Sequence, residues 1–540
     1  MNEENTYNLI DEPWIPVMMQ DGTNRNVSLG EVFADADGQI ADLALNPYER
    51  VAVFRLLLCI AQASLSLEQV KDERAWLAAH GIIGVSATGY LKVWHDRFNL
   101  YGDHAFLQVD CLEPGGTIPD ASRFLLNSAH HFGSPLFSRE IDMTGQAPMA
   151  SPLLAIALLS YLSFSASGGT PTCKWKGIPT KQVGASASPC RGQSKLFTLV
   201  CGKSLLESVW MNLLTEKQLV KNHLSLGRPC WEFLFDNCLK VEEEAFCWLG
   251  SIDKDSREVL EPTWLGTLVP LSRFVKLKRS TSECLICEGF GYPQPPLWRE
   301  PEATFFTRRA KEDATGILCL RTDPNREPWR DLSSILEMRS SKGGAIALEH
   351  LLTLAHHNTS IQYFSIWTGG MNSKADRDQD MWSGEWRFTR PISHLRKSSL
   401  DQYREAADFA AKQLFFRGGR HFPDLGLKAA TREYATCLLI DKASRFSDPA
   451  ERIYWDILAQ PANQTIVSKA AEGSPDCMDK WKMATHKAAE EAYRRVCPAA
   501  TARQMEAYAQ GFAKLWVPDG KKGKAIDNAD SGGNEGGDHV

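Results

Sequence analysis

At 540 residues and 43% hydrophobic, the chain carries enough apolar material for a large core and two or more domains. A formal charge of −6 excludes a uniformly basic nucleic-acid binder, so any such contact is expected as a local patch on an acidic background. The acidic start Met1-Asn2-Glu3-Glu4, the lack of a long uninterrupted apolar run and 14 singly scattered cysteines predict no membrane partner, no secretory signal and reduced thiols in the cytoplasm.

In chain order, Asn8-Leu9-Ile10 is expected as a short strand and Trp14-Ile15-Pro16-Val17 as a second apolar element. Asp11-Glu12-Pro13 would form a rigid corner between them, giving a buried amino-terminal hairpin that closes a sheet. Asn46-Pro47 opens a helix with Val53, Leu56, Leu57 and Ile60 on its apolar face. Ser204-Leu205-Leu206-Glu207 has the spacing of a capping box, with Val209, Trp210 and Leu213 following. Short β-like runs and many Gly/Pro turns lie between. From about Pro391 the texture becomes helical, over Leu400–Phe416, Asp424–Ala443, Pro449–Leu458, Pro475–Val496 and Ala499–Trp516. Asp448-Pro449 and Ser474-Pro475 read as caps before first-turn prolines. The predicted fold class is therefore α+β: a mixed domain over 1–390, a carboxy-terminal four-helix-type bundle over 391–516, and a disordered, apolar-poor tail over 517–540.

One charge feature is an absence. From Met143 through Leu206 there is no Asp or Glu, while Lys174, Lys176, Lys181, Arg191, Lys195 and Lys203 are all cationic. The centre of this stretch is a small-residue loop containing Gly168, Gly169 and Thr170. Glycine lets backbone approach a partner without an intervening side chain, and flanking lysines attract phosphate. Such a loop suits the minor groove, where backbone amides reach base edges that bulky side chains cannot; a solvated basic face beside a tight turn is the plainer alternative.

Catalytic signatures are missing: the chain has no G-x-S-x-G, no G-x-x-x-x-G-K-[ST] and no H-E-x-x-H. His95-Asp96 is a single His-Asp pair, and a metal-dependent phosphohydrolase needs further ligands. His130-His131 and His356-His357 lack a carboxylate at helical spacing and are expected to pack or turn. Cys284 and Cys287 have zinc-knuckle spacing, but a structural zinc needs four ligands, which Cys230, Cys238 or Cys247 would have to complete. The alternative is a pair of thiols in a β-turn; no cofactor other than such a zinc is expected.

The segment Asn8-Leu9-Ile10-Asp11-Glu12-Pro13-Trp14-Ile15-Pro16-Val17 resembles the opening of the Cascade large subunit, the CasA family of type I-E CRISPR surveillance complexes. Ser28-Leu29, Glu31-Val32-Phe33 and Arg55-Leu56-Leu57-Leu58 follow in family order, as does Phe98 through Gln108, with Ala105 where the family commonly has proline. Further on, Leu297-Trp298, Pro301, Arg308-Arg309, Pro328-Trp329-Arg330, Leu332 and Trp367-Thr368-Gly369-Gly370-Met371 keep that order. The resemblance implies that Leu136, Phe137, Ser138 and Arg139 form the loop contacting the 5′ handle of the guide RNA and neighbouring subunits. It also implies that Gly168, Gly169 and Thr170, with Lys174 and Lys176 beside them, read the protospacer-adjacent motif (PAM) of double-stranded target DNA.

Three departures from the family pattern stand out. Asn372, Ser373 and Lys374 occupy the hairpin where some members carry a glutamine wedge that starts strand separation. Glu288 to Pro296 contains no lysine where members place a lysine finger, leaving Lys276, Lys278 or Arg279 as replacements. Met149-Ala150-Ser151-Pro152 stands where some members have a second cysteine pair. The expected function is a non-catalytic subunit that binds guide RNA (crRNA), other Cascade subunits and target DNA, helps start the R-loop and recruits a helicase-nuclease. The alternatives are a metal-dependent nucleic-acid-processing enzyme built on His95, Asp96 or the Cys284/Cys287 pair, and a scaffold without DNA contact.

Overall fold

The computed structural model describes residues 7–110, 112–116, 118, 121–126, 149–166, 168–169, 173–175, 178–179, 184–185, 188–232, 263–278, 283–292, 298–307, 317–323, 328–338, 343–357, 361–372, 383–419 and 423–517. The chain forms two compact units, one of residues 1–328 and 334–393, the other of 329–333 and 394–540. Among the described residues no helix is long and apolar enough to cross a membrane.

The first unit begins with a three-stranded antiparallel sheet of β1 (Ile15–Met19), β2 (Asn24–Val27) and β3 (Ile40–Leu43), with β1 in the centre. The expected strand at Asn8–Ile10 does not form: Asn8 makes a single bridge to Asn99 and the chain then turns. The Asn8 side chain accounts for this. Its oxygen accepts the Ile10 N–H at 2.9 Å, while its amide donates to the His95 carbonyl and Asn99 Oδ1, both at 3.0 Å. A short amide that captures its own backbone competes with strand pairing. Trp14 then swings inward, fully buried, and its indole N–H donates to the Leu9 carbonyl at 2.9 Å.

Helix Pro47–Ala63 starts as its sequence predicts, with Asn46 as N-cap, Pro47 in the first turn, and Glu49 reaching back to the Asn46 N–H at 3.2 Å. It is more than amphipathic, because every residue from Arg50 to Gln62 is buried. Helix Ser151–Phe164 packs against it. The following strands are β4 (Leu112–Pro114), β5 (Gly168–Gly169), β6 (Cys173–Trp175), β7 (Ile178–Pro179) and β8 (Gly184–Ala185). Of these, β4-β6-β7 make one antiparallel sheet and β5 pairs with β8. Strand β9 (Phe197–Cys201) precedes helix Leu205–Met211, whose N-cap Ser204 accepts the Glu207 N–H at 3.2 Å. Two antiparallel pairs follow, β10 (Arg273–Leu277) with β11 (Cys284–Glu288) and β12 (Phe305–Thr307) with β13 (Ile317–Cys319). The long strands β14 (Tyr363–Met371) and β15 (Ser383–Pro391) complete a sheet in the order β15-β14-β9.

The second unit is helical: Lys397–Leu414, Leu427–Cys437, Ser444–Ala459, Pro461–Ala471, Cys477–Val496 and Ala502–Phe512. Its core is aromatic. Tyr434, Tyr454, Trp481 and Tyr493 are fully buried, and each polar tip reaches a carbonyl, as with Tyr454 to Ala410 and Trp481 to Ala406, both at 2.9 Å. Two expected caps are corrected. Pro449 lies inside a helix that already starts at Ser444, since Ser447 N–H bonds to the Ala443 carbonyl at 3.0 Å. Beyond Pro475, a left-handed Asp476 at φ 60° delays the next helix to Cys477. Pro461 opens a helix that the sequence pattern did not suggest, with Gln460 as its N-cap.

Candidate nucleic-acid interface

The glycine loop leaves helix Ser151–Phe164 at its carboxy end and runs as β5 against β8, with Gly168 opposite Ala185 and Gly169 opposite Gly184. Three glycines and an alanine give this strand pair almost no side-chain bulk, the property a backbone-first approach to a groove requires. Its base is tied by a buried chain of hydroxyls. Ser165 and Ser188 lie 2.5 Å apart, Ser188 and Ser272 2.6 Å, and the Ser272 hydroxyl donates to the Leu162 carbonyl at 2.5 Å. Arg273 donates to the Ala166 carbonyl at 2.8 Å, and the backbones of Ser165 and Ser188 bond at 3.0 Å. Nothing in the sequence marks these serines, which are ordinary until the fold stacks them.

Lys174 is exposed on β6, opposite Glu113 of β4 and Pro179 of β7. The acid-free stretch is thus not acid-free in space. It is not wholly a surface patch either, because Arg191 and Lys195 are buried, 4% and 0% exposed. The Arg191 guanidinium donates to the Phe164 carbonyl at 3.4 Å and lies 3.9 Å from the Met371 sulfur. It therefore touches both the end of the helix that launches the glycine loop and the end of β14. Asn372, the last described residue before the expected wedge, accepts the Ser194 hydroxyl at 3.3 Å. Segment 188–195 is the common root of both predicted DNA-facing loops.

Behind that root sits a buried ionic cluster. Arg55 pairs with Glu300 at 2.6 Å and Glu302 at 2.9 Å, and the Lys195 ammonium lies 3.7 Å from Glu300. Two cations and two carboxylates balance within a volume that excludes water, which is what makes such burial tolerable. Indole N–H groups complete it, Trp298 to Glu300 at 3.1 Å and Trp264 to Glu302 at 2.8 Å. Burial opposes ionisation of Glu300, yet the charges of Arg55 and Lys195 hold its carboxyl below the usual range, whereas burial dominates at Glu302 and pushes it up. A second network holds β15: the Asp42 carboxylate bridges Arg50 and Arg387. Burial raises Asp42, but the two guanidinium groups outweigh it and keep the acid low.

Cys284 and Cys287 are both buried on β11, not in a turn. Residues three apart on a strand point to opposite faces, and among the described residues no cluster of three His, Cys, Asp or Glu able to hold a metal forms. Cys230 is buried with its thiol 3.8 Å from the Val269 carbonyl, while Cys238 and Cys247 lie outside the described residues. His95 is a surface residue 2.7 Å from Asp11 and 3.6 Å from Asp96. The hydrogen bond to Asp11 raises its pKa and ties the amino-terminal motif to the short helix at His95–Phe98. Lys276 donates to the Asp110 carbonyl at 2.5 Å and Lys278 pairs with Glu283 at 3.2 Å. Leu136, Phe137, Ser138, Arg139, Thr170, Lys176, Arg279, Ser373 and Lys374 lie outside the described residues.

Comparison with known proteins places almost the whole chain in one family. The CRISPR-associated protein Cse1 family matches residues 8–492. The CRISPR-associated protein CasA/Cse1 of Thermus thermophilus is 26% identical over 518 residues, covering 94% of this chain and 95% of the relative. In fold, the chain is similar to Cse1 of Thermobifida fusca, with a TM-score of 0.69 at 18% identity over 94% of this chain and 96% of that one. It is also similar to a chain of a CRISPR RNA-guided surveillance complex, with a TM-score of 0.70 at 15% identity over 95% of this chain and 100% of the other.

Proposed function

The chain belongs to the CRISPR-associated protein Cse1 family, and on that premise we propose that it is a non-catalytic subunit of an RNA-guided surveillance complex. In that complex it reads a short motif in double-stranded DNA and helps open the adjacent base pairs. Guide–target pairing supplies sequence specificity, while the protein recognises duplex shape and a few base edges. The observation that carries this reading is the common root. Segment 188–195 bonds to Ser165, just before the Gly168–Gly169 strand, and to Asn372, just after β14, so it holds the near ends of both segments that this reading assigns to DNA. The bare glycine pair suits the minor groove, where pattern is read by close approach. Its partners are guide RNA, engaged through Leu136–Arg139, the other subunits of the complex, target DNA, and a helicase-nuclease recruited once the R-loop has formed.

The test is Gly169→Asp in the assembled complex. The substitution adds bulk and negative charge at the groove floor. Motif-dependent binding of duplex target is expected to be lost while the melting temperature stays near wild type. Unchanged duplex binding would remove this loop from the DNA interface.

A further inference from the structure

Lys195 is a fully buried ammonium that follows an unusual stretch of backbone. Gln193 and Ser194 just before it both hold left-handed backbone, at φ 60° and 54°, unusual for residues with a Cβ and sustained only where surroundings dictate it. The Lys195 side chain folds back and donates to the Pro189 carbonyl at 2.7 Å, closing the turn across its own base, and its charge faces Glu300. Outward from the turn, Thr322 Oγ1 donates to the Ser194 carbonyl at 2.8 Å, and Gly370 of β14 rests on the Lys195 carbonyl. On the other side, Ser188 and Cys190 bond to the backbone of Ser165 and Ser163, the strap from which the glycine loop leaves.

We propose that Lys195 is a positioning residue for duplex recognition: tethered to Glu300, its ammonium locks the 188–195 turn and so sets the spacing between the glycine loop and the chain leaving β14. The inference rests on the proposed function and adds a residue that contacts no DNA. Two loops that engage one duplex lose affinity when the distance between them is no longer fixed, because ordering them then costs free energy at binding. Binding that needs only guide pairing has no such dependence.

The experiment separates tethering from charge balance. Lys195→Met alone leaves an excess negative charge in a dry cluster and is expected to lower the melting temperature. Lys195→Met with Glu300→Gln returns the cluster to neutrality, with Arg55 facing Glu302, but restores no tether. Complexes carrying the double variant are expected to regain the wild-type melting temperature and to bind single-stranded target as the wild type does. Their motif-dependent binding of duplex target should be weaker by about tenfold or more, the scale of one good base-edge contact. Recovery of duplex binding together with the melting temperature would overturn the positioning role and leave Lys195 as a charge-balancing core residue. Gly169→Asp, measured alongside, distinguishes the two failures. Loss there with wild-type binding by the double variant overturns the Lys195 role alone; wild-type binding by Gly169→Asp overturns the reading of the loop, and the Lys195 role with it.

Discussion

Gly370 sits on the Lys195 carbonyl so closely that a Cβ built on it would lie 2.4 Å from that oxygen. A side chain cannot be accommodated against backbone at that distance, so glycine here is a packing requirement of the contact between β14 and the 194–195 turn. It carries no need for positive φ.

Gly370→Ala is therefore expected to push β14 away from the 194–195 turn, at a cost of about 1–3 kcal/mol typical of overpacking. The displacement falls one residue before Met371, so duplex-target binding should suffer beyond the loss of stability. Chemical unfolding of the purified subunit, with duplex binding by the assembled complex, checks both; unaltered unfolding would mean that the strand yields without strain.

Phe137, between Leu136 and Ser138 with Arg139 beyond, combines an apolar anchor with a cation, as suits a loop docking beside RNA. Phe137→Ala should weaken retention of this subunit when the complex is purified through another subunit. Wild-type stoichiometry would make Phe137 a core residue of its own unit.

Lys374 follows Asn372 and Ser373 in sequence, and the proposed function gives it the role of a strand-opening wedge. Lys374→Ala should slow R-loop formation on a fully paired duplex more than on a target with mismatched, pre-opened pairs beside the motif. A phosphate clamp would lose similar affinity on both, in a salt-dependent manner. Equal loss on both substrates, or none on either, rejects the wedge role.

His350 is fully buried, stacked on Trp76 at 4.0 Å, with its Nε2 2.7 Å from the Leu213 carbonyl. Burial lowers its pKa to about 4. Because the native value is depressed while an unfolded histidine titrates near ~6.5, the unfolded state alone takes up a proton between those values. Stability should thus fall as pH drops from ~6.5 towards 4, by up to about 3 kcal/mol from this residue. In urea unfolding followed by tryptophan fluorescence, His350→Gln should flatten that part of the pH profile. A profile of unchanged slope would assign the acid sensitivity to other groups.

Much of the local structure was legible because its causes are local. Asn46, Pro47 and Glu49 cap a helix using atoms within one turn of chain, and Ser204 does the same. The helical texture after Pro391 was equally plain, but its boundaries were not. At Pro449 and Pro475 the proline was read as a first-turn residue, yet one lies inside a helix and the other before its start, since whether the residues around a proline join the helix depends on what they pack against. Asn8 shows the same limit: its side chain prefers Ile10, His95 and Asn99 to a strand, and two of those partners are far along the chain.

By itself, the sequence determined the α+β class, the capped helix starts at Pro47 and Leu205 and the order of motifs along the chain, because these depend on periodicity, caps and residue type. It also marked the glycine pair and the acid-free stretch around it. Only the tertiary structure decided what those charges do. Lys174 stays in solvent opposite Glu113, whereas Lys195 is buried against Glu300 and Arg191 bridges Phe164 to Met371. Coulomb energy and desolvation depend on distance through space and on exclusion of water, and neither quantity is written in the spacing of residues along a chain.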